Sequence, residues 1–374
     1  MNQEKKISHR ITGSVPRQDG YFMPGEFARQ QRILMLWPER PDIWRNQAGP
    51  AGEAFAAVAA AVSAFEPVTV YAGERQFSRC RAMLPAAVSV EILETDDAWM
   101  RDVGPTFLID GKGGLRACDW KFNAWGGDYD GLYDSWEKDD RAAAAILNGM
   151  GTDYYRTDDF VLEGGSIHTD GDGTVLTTEM CLLSPGRNPL YKKEAIEAKL
   201  KDYLNADKII WIKDGIDPDE TNGHIDDVAC FARPGETVCI ETDDTAHPFY
   251  KAAREASELL KNAEDAEGRL LKVHPLCCTR KPVLTPDDFA VLNTGRSKPR
   301  GAGELCIASY ANFLIVNGGV IVPQYDDEND ALALEQLSAV FPDRKVVGVR
   351  TREIVYGGGN IHCITQQVPD PAAV

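Results

Sequence analysis

Apolar positions along the 374-residue chain follow two alternating rhythms. Short dense runs, "RILMLWP" (32–38), "PVTVYAG" (67–73), "VSVEIL" (88–93) and "KIIWIK" (208–213), read as strands. Between them lie stretches with apolar residues at helical spacing: "AGEAFAAVAAAVSAF" (51–65), "DRAAAAILNGM" (140–150), "LYKKEAIEAKLKDYL" (190–204), "FYKAAREASELLKNAEDAEG" (249–268) and "NDALALEQLSAVF" (329–341). Apolar runs broken by Gly-containing turns, "SIHTDGDGTVLTT" (166–178), "DVACFARPGETVCIET" (227–242) and "NFLIVNGGVIVP" (312–323), predict hairpins, and "TFLIDGKGGLRACDW" (106–120) predicts further strands. Strands alternating with helices are the mark of an α/β fold.

Within that order four short stretches echo one another. "EGGSIHTD" (163–170) and "GGGNIHCI" (357–364) share a Gly-Gly, Ile-His core, and "TNGHIDDV" (221–228) and "VNGGVIVP" (316–323) carry a similar glycine ahead of an apolar run. Glycine lets the backbone turn sharply into a strand, so the echoes suggest equivalent strand starts in repeated units.

Length alone suggests two or three domains, but no Ser/Pro-rich linker or low-complexity tract divides the chain. No run approaches the roughly 18 apolar residues of a membrane helix, and residues 1–20 lack the apolar core of a secretory signal, so the cytoplasm is the expected location. Nine cysteines, an odd number without a CxxC pair, fit reduced thiols better than a disulfide framework. A net charge of −18 argues against nucleic acid or an anionic membrane as partner and leaves room for a cation.

Candidate chemistry gathers in three places. In "NIHCITQQ", if extended, neighbouring side chains face opposite ways, so His362 is a poor base for Cys363, and His362 and His168 read as matched structural residues. In "NGHIDD", His224 and Asp226 share one face of an expected strand, with Ile225 and Asp227 on the other, an arrangement suited to acid/base work. In "DDAWMRDVGPTF", Asp102 follows Trp99 by three residues, and a carboxylate beside an indole suits a planar cation. Trp125, in "FNAWGG", offers a further pocket wall. Cys and His alone would also fit a cysteine protease or a zinc hydrolase, but HExxH and CxxC spacings are absent.

Taken together, "YFMPGEF", "LWPERPDIWR", "FEPVTVYA", "DDAWMRDVGPTF", "FNAWGG", "EGGSIHTDGDGT", "TNGHIDD" and "GGGNIHCITQQVP" resemble the agmatine deiminase family of the guanidine-modifying superfamily, in order, from about residue 20 to residue 370. The resemblance implies a pentein α/β-propeller, five ββαβ units around a pseudo-fivefold axis, forming one catalytic domain over residues 1–374. It implies hydrolysis of a small cationic guanidine, agmatine, to N-carbamoylputrescine and ammonia, without metal or cofactor, within polyamine metabolism, by an enzyme that could be a homo-oligomer. Matched position by position, Cys363 is the nucleophile, carrying an S-alkylthiouronium intermediate; His224 is the general acid/base and Glu163 its orienting carboxylate. Asp102 and Asp226 grip the guanidinium, and Trp99 stands beside the substrate. Trp125, Glu220 (with Asp219, for the distal amine) and Gly358, one of the glycines that would leave bare backbone beside the sulfur, complete the expected substrate contacts. Asp227, where many relatives would have asparagine, is expected to point away. A deiminase of free or peptidyl arginine and a non-catalytic pentein are the alternatives.

Overall fold

The computed structural model describes residues 7–216, 220–280, 282–285, 295–298, 301 and 303–372. Five separate sheets, of three or four strands each, make up its mixed α/β architecture, and none is closed into a barrel. Each sheet is built on one pattern: an antiparallel pair, a helix, and a third strand parallel to the second.

In the sheet nearest the N-terminus, Thr365–Pro369 runs antiparallel to Gln30–Leu36, the interrupted helix Arg45–Ser63 follows, and Val68–Ala72 lies parallel; Ser89–Ile92 adds an outer strand. The next contains Thr106–Ile109, Leu115–Lys121, helix Ala142–Met150 and Tyr154–Val161, with Arg10–Ile11 on its edge. The third contains His168–Thr169, Thr174–Thr178, helix Lys193–Leu204 and Lys208–Ile212. The fourth has Ala229–Arg233, Glu236–Glu241, helix Tyr250–Lys261 and Lys272–Cys277. The fifth has Leu314–Val316, Gly319–Gln324, helix Asp330–Val340 and Lys345–Arg350. These are the five ββαβ units implied by the family resemblance.

The helices cover their sheets through single apolar stripes. In Tyr250–Lys261 the buried positions are Ala253, Ala256, Ser257 and Leu260, one helical face, and in Arg45–Ser63 they include Phe55, Val58 and Val62. A fully buried side chain of this size contributes about 1.5–3 kcal/mol. The fourth helix ends at Lys261 rather than continuing toward residue 268, because the segment beyond it turns back to form a bridge between Glu264 and Leu270.

Three local expectations fail, and each failure moves a chemically important residue. "NGHIDD" is not a strand: Ile225–Asp227 is a turn of 3₁₀ helix, so Asp226 and Asp227 diverge by about a third of a turn instead of facing opposite ways. "NIHCITQQ" is extended only from Thr365 onward, with a turn at 361–364. "VNGGVIVP" does not precede a strand pair but makes its hairpin turn, with Gly318 at φ +72°; the true lead-in of the fifth unit is the stretch ending at Asn312.

With that correction one rule covers all five units. Immediately before the first strand of each lies a short turn: Met100–Val103 before Thr106, Gly164–Ser166 before His168, Ile225–Asp227 before Ala229, 310–311 before Leu314, and 361–364 before Thr365. No helix among the described residues is long and apolar enough to cross a membrane.

Candidate active site

Those five turns deliver the chemistry. Cys363, Asp102, His224 and Asp226 are all buried, and Glu163, at the start of its turn, is fully so. The sulfur of Cys363 lies 3.7 Å from Asp226 Oδ2. His224 lies between two carboxylates, Nδ1 3.9 Å from Asp102 Oδ2 and Nε2 3.8 Å from Glu163 Oε2. Glycine permits this crowding: a Cβ on Gly165 would stand 2.6 Å from His224 Nδ1, 2.9 Å from Asp102 Oδ1 and 3.0 Å from Asp226 Oδ2. Its backbone N–H donates to Asp102 Oδ1 at 2.9 Å.

Each carboxylate is held by a specific donor. Arg187, fully buried, donates from Nε to Glu163 Oε1 at 2.7 Å, and its remaining donors tie the Trp125 carbonyl, Asn222 Oδ1 and the Thr221 carbonyl. Trp125 donates to Asp102 Oδ2 at 2.9 Å and sits at φ +61°, a left-handed conformation uncommon for an aromatic residue. Asp226 Oδ2 faces His362 Nδ1 at 2.8 Å, whereas its Oδ1 is buried and has no hydrogen bond among the described residues. That oxygen is therefore free to accept from a ligand, and a ligand with N–H donors would remove the penalty of burying it unpaired.

His362 thus has a different place from the one expected of it. It does not back away from Cys363: both neighbours meet Asp226. Its second nitrogen, Nε2, lies 2.9 and 3.1 Å from the two oxygens of Glu26. With a carboxylate against each ring nitrogen, both must carry hydrogen, so His362 is an imidazolium. Arg101, fully buried, holds the other side of Glu26 at 3.0 Å and donates its backbone N–H to the Cys363 carbonyl at 2.9 Å. His168 stacks on His362 with centroids 6.2 Å apart, so the two histidines matched in sequence also meet in space.

Electrostatics divide these groups. Burial and the Arg101 charge oppose protonation of His362, but Glu26 and Asp226 outweigh them and raise its pKa. Burial would raise Asp226, yet the bond and charge from His362 hold it below the ordinary carboxylate range. Burial likewise opposes ionisation of Glu163, which Arg187 nevertheless keeps low. His224 is raised well above its ordinary value: burial works against it, and Asp102, the adjacent Cys181 thiol and Glu163 prevail. Asp102 is pushed up by burial and by Asp226 and Glu163, despite His224. Burial, then Asp226, Asp227 and Asp102, drive the Cys363 thiol well above its ordinary value. The site without a bound cation therefore disfavours a thiolate at Cys363.

Asp227 also departs from expectation. The 3₁₀ turn brings it inward, where its donor atom clusters with those of Asp226 and Cys363. Burial beside Asp226 pushes its carboxyl well above the ordinary range. The glycine beside the sulfur is Gly359, not Gly358: a Cβ there would lie 3.0 Å from Cys363 Sγ and 2.6 Å from the Trp99 ring. Gly358, at φ +106°, makes the bend that permits this approach. Trp99 thus reaches the nucleophile across Gly359, and its indole N–H donates to Asp97 Oδ2 at 2.8 Å, while Trp44 donates to Asp97 Oδ1 at 2.9 Å. Glu220 is buried on the segment leading to His224, and Asp219 lies outside the described residues.

The clusters Glu26–His168–His362, Glu163–Cys181–His224 and Asp226–Asp227–Cys363 each bring their donor atoms within 4.8 Å of one another, close enough to accept a metal ion. In the first two, guanidinium groups already bonded to Glu26 and Glu163 supply the positive charge. Of these groups, Arg187 had no sequence signal as a site residue, and Asp97 and Arg101 lay in view within "DDAWMRDVGPTF". Glu26 lay in plain view within "YFMPGEF", and Gly165 within "EGGSIH".

His362 carries a prediction. In His362→Gln the side-chain nitrogen replaces Nε2 and reaches Glu26, but Asp226 loses its donor; in His362→Asn the nitrogen replaces Nδ1 and keeps Asp226. Removing one partner of a buried charge network costs about 3–5 kcal/mol, so both variants melt lower. Because the folded-state pKa of His362 is raised, its contribution is complete below the unfolded value of about 6.5 and fades as pH rises toward the folded one. Thermal melts against pH should therefore show the gap between wild type and variants narrowing above pH ~6.5, and a gap that widens instead would contradict the imidazolium.

Comparison with known proteins gives a consistent set. The family model described as Porphyromonas-type peptidyl-arginine deiminase matches residues 22–369. A protein of Enterococcus faecalis is 58% identical over 363 residues, covering 97% of this chain and 100% of its own length. An agmatine deiminase of Stutzerimonas stutzeri is 50% identical over 365 residues, covering 96% and 98%. Among solved structures, an agmatine deiminase of Enterococcus faecalis superposes with a TM-score of 0.96 at 57% identity, covering 97% of this chain and 100% of that one.

Proposed function

The chain belongs to the Porphyromonas-type peptidyl-arginine deiminase family, and from that premise we propose that it hydrolyses agmatine to N-carbamoylputrescine and ammonia. The observation that carries this reading is the meeting of one thiol, one imidazole and three carboxylates, Cys363, His224, Asp102, Asp226 and Glu163, in a buried site whose acids outnumber the cations not already bound to acids. The relatives named as agmatine deiminases, matched over nearly their whole length, support it.

In this mechanism Asp226 Oδ1 and Asp102 accept the guanidinium N–H groups, holding the carbon near the sulfur. The substrate's own charge arms the nucleophile. A unit cation about 4 Å from sulfur, at an effective dielectric of about 20, stabilises the thiolate by about 4 kcal/mol, roughly three pKa units. As the cation binds, the thiol releases its proton to solvent, and the thiolate attacks the guanidinium carbon, forming a C–S bond and a neutral tetrahedral adduct. Protonated His224 gives its proton to one nitrogen as the C–N bond breaks and ammonia leaves, so an S-alkylthiouronium remains on Cys363. His224, now neutral, takes a proton from water; hydroxide adds to the carbon, and the C–S bond breaks to release the ureido product. Glu163 orients His224, Arg187 fixes Glu163, and Trp99 and Trp125 wall the substrate.

The whole chain is read as one catalytic domain, because all five units contribute to one site. Nine free cysteines fit a reducing cytoplasm, and the product's putrescine skeleton fits polyamine metabolism. The test is ammonia release from agmatine and from arginine at equal concentrations. Agmatine should be preferred by at least ~10²-fold in kcat/KM, since Arg187 is committed to Glu163, Trp125, Asn222 and Thr221 and Arg101 is held in a buried ion pair with Glu26. Comparable turnover of arginine would overturn the choice of substrate.

A further inference from the structure

Four of the five lead-in turns hold residues already given roles; the fifth, before Leu314, ends in Asn312. This side chain is fully buried and uses every polar atom. Its Oδ1 accepts the backbone N–H groups of His362 at 2.9 Å and Cys363 at 3.3 Å. Those two donors fix the amide orientation, because the reverse would set N–H against N–H. Nδ2 must then face the other way, where it lies 2.9 Å from Asp227 Oδ1 and 3.1 Å from Cys363 Sγ. One amide hydrogen serves Asp227 and the other points at the sulfur.

We propose that Asn312 is a catalytic residue: its side-chain N–H stabilises the Cys363 thiolate as it attacks and again as it leaves the carbon, while Asp227 is a positioning residue that holds the amide in place. The proposal rests on Cys363 being the nucleophile. Burial and the nearby carboxyls Asp226, Asp227 and Asp102 raise the thiol, and the Asn360 backbone works against them. A fixed donor on a developing anion, in a buried site, is where a hydrogen bond contributes most. Asp227 suits its part because its Oδ1 is buried against the amide, and burial beside Asp226 pushes its carboxyl well above the ordinary range. Its backbone carbonyl is fixed by the Ser309 hydroxyl at 2.7 Å, so the acceptor is rigid.

The experiment uses the full chain with Asn312→Asp, which keeps an oxygen for the two backbone N–H groups but removes the donor, and Asp227→Ala, which leaves the donor but unlocks it. Alkylation of Cys363 by 2-chloroacetamidine, a small cationic reagent, is followed against pH by peptide mass spectrometry, alongside steady-state turnover of agmatine. Asn312→Asp should shift the alkylation profile upward by at least about one pH unit and lower kcat by about 10²-fold, with KM changed less than about threefold. Asp227→Ala should shift both in the same direction by a smaller amount. An unmoved alkylation profile in both variants, or a loss confined to KM, would overturn the proposal; should Asn312→Asp fail to fold, Asp227→Ala decides alone. If the wild type releases no ammonia from agmatine, the functional reading fails, while the alkylation profiles still decide whether Asn312 governs the thiolate.

Discussion

Replacing Cys363 with serine should abolish ammonia release from agmatine, lowering kcat by at least about 10⁴-fold while leaving the fold and substrate binding in place. A hydroxyl ionises far less readily than a thiol, and in this site even the thiol is pushed well above its ordinary value by burial and three carboxyls. The roughly 4 kcal/mol that an incoming cation supplies suffices for sulfur but falls far short for oxygen. Asp102 and Asp226, which grip the guanidinium in the proposed mechanism, are untouched, so calorimetry should register agmatine binding to the variant within a few-fold of the wild-type KM. Mass spectrometry of wild type quenched during turnover should find an amidino adduct on the peptide containing Cys363. Turnover by the serine variant, or an adduct on another cysteine, would move the nucleophile elsewhere.

Gly165→Ala is the second large effect, and it adds only one methyl group. The new Cβ would press on His224, Asp102 and Asp226 at once, at 2.6, 2.9 and 3.0 Å. Positions of that kind are normally relieved by moving a flexible side chain, but here the three crowded groups are, in the proposed mechanism, the acid/base and both guanidinium carboxylates. Asp102 is bonded to Gly165 N–H and Trp125, and Asp226 to His362, so neither can retreat without breaking a buried bond. Displacing catalytic groups by about 1 Å costs on the order of 10²-fold, and two or three displaced together should cost about 10³-fold or more in kcat/KM. Destabilisation should stay near 1–3 kcal/mol, the usual cost of overpacking. Activity within tenfold of wild type would show that the three groups have more freedom than their hydrogen bonds allow.

The sequence was most informative about things that repeat. Apolar runs and helical stripes disclosed the hairpins and all five unit helices, because burial on one face imposes a period. The third strand of three units went unread: "YYRTDDFV" and "KVHPLC" mix charged or Pro residues into half-covered positions, and Lys345–Arg350 is exposed at both ends. The ordered motifs singled out Cys363, His224, Glu163, Asp102 and Asp226, which meet in one buried site. They could not disclose which way a turn points its side chains: one 3₁₀ turn reversed Asp227, and a turn at 361–364 brought His362 onto the same carboxylate as Cys363. The partners of Arg187, Arg101 and Asn312 were invisible for a related reason. Each meets its partner across a large sequence separation, 24 residues for Arg187–Glu163, 75 for Arg101–Glu26 and 51 for Asn312–Cys363, and nothing local marks them.

The pairing of Thr365 with Met35 gives the enzyme a birth order. The strand that completes the first sheet is made long after its partner, Thr365 standing 330 positions beyond Met35, and Cys363 lies just ahead of it. The other four units close through contacts within themselves, whereas the sulfur meets its carboxylates, Asn312 and Trp99 only when this strand docks. Closure between distant parts of a chain is slow compared with local folding, so the chemistry depends on the slowest kind of contact in the molecule.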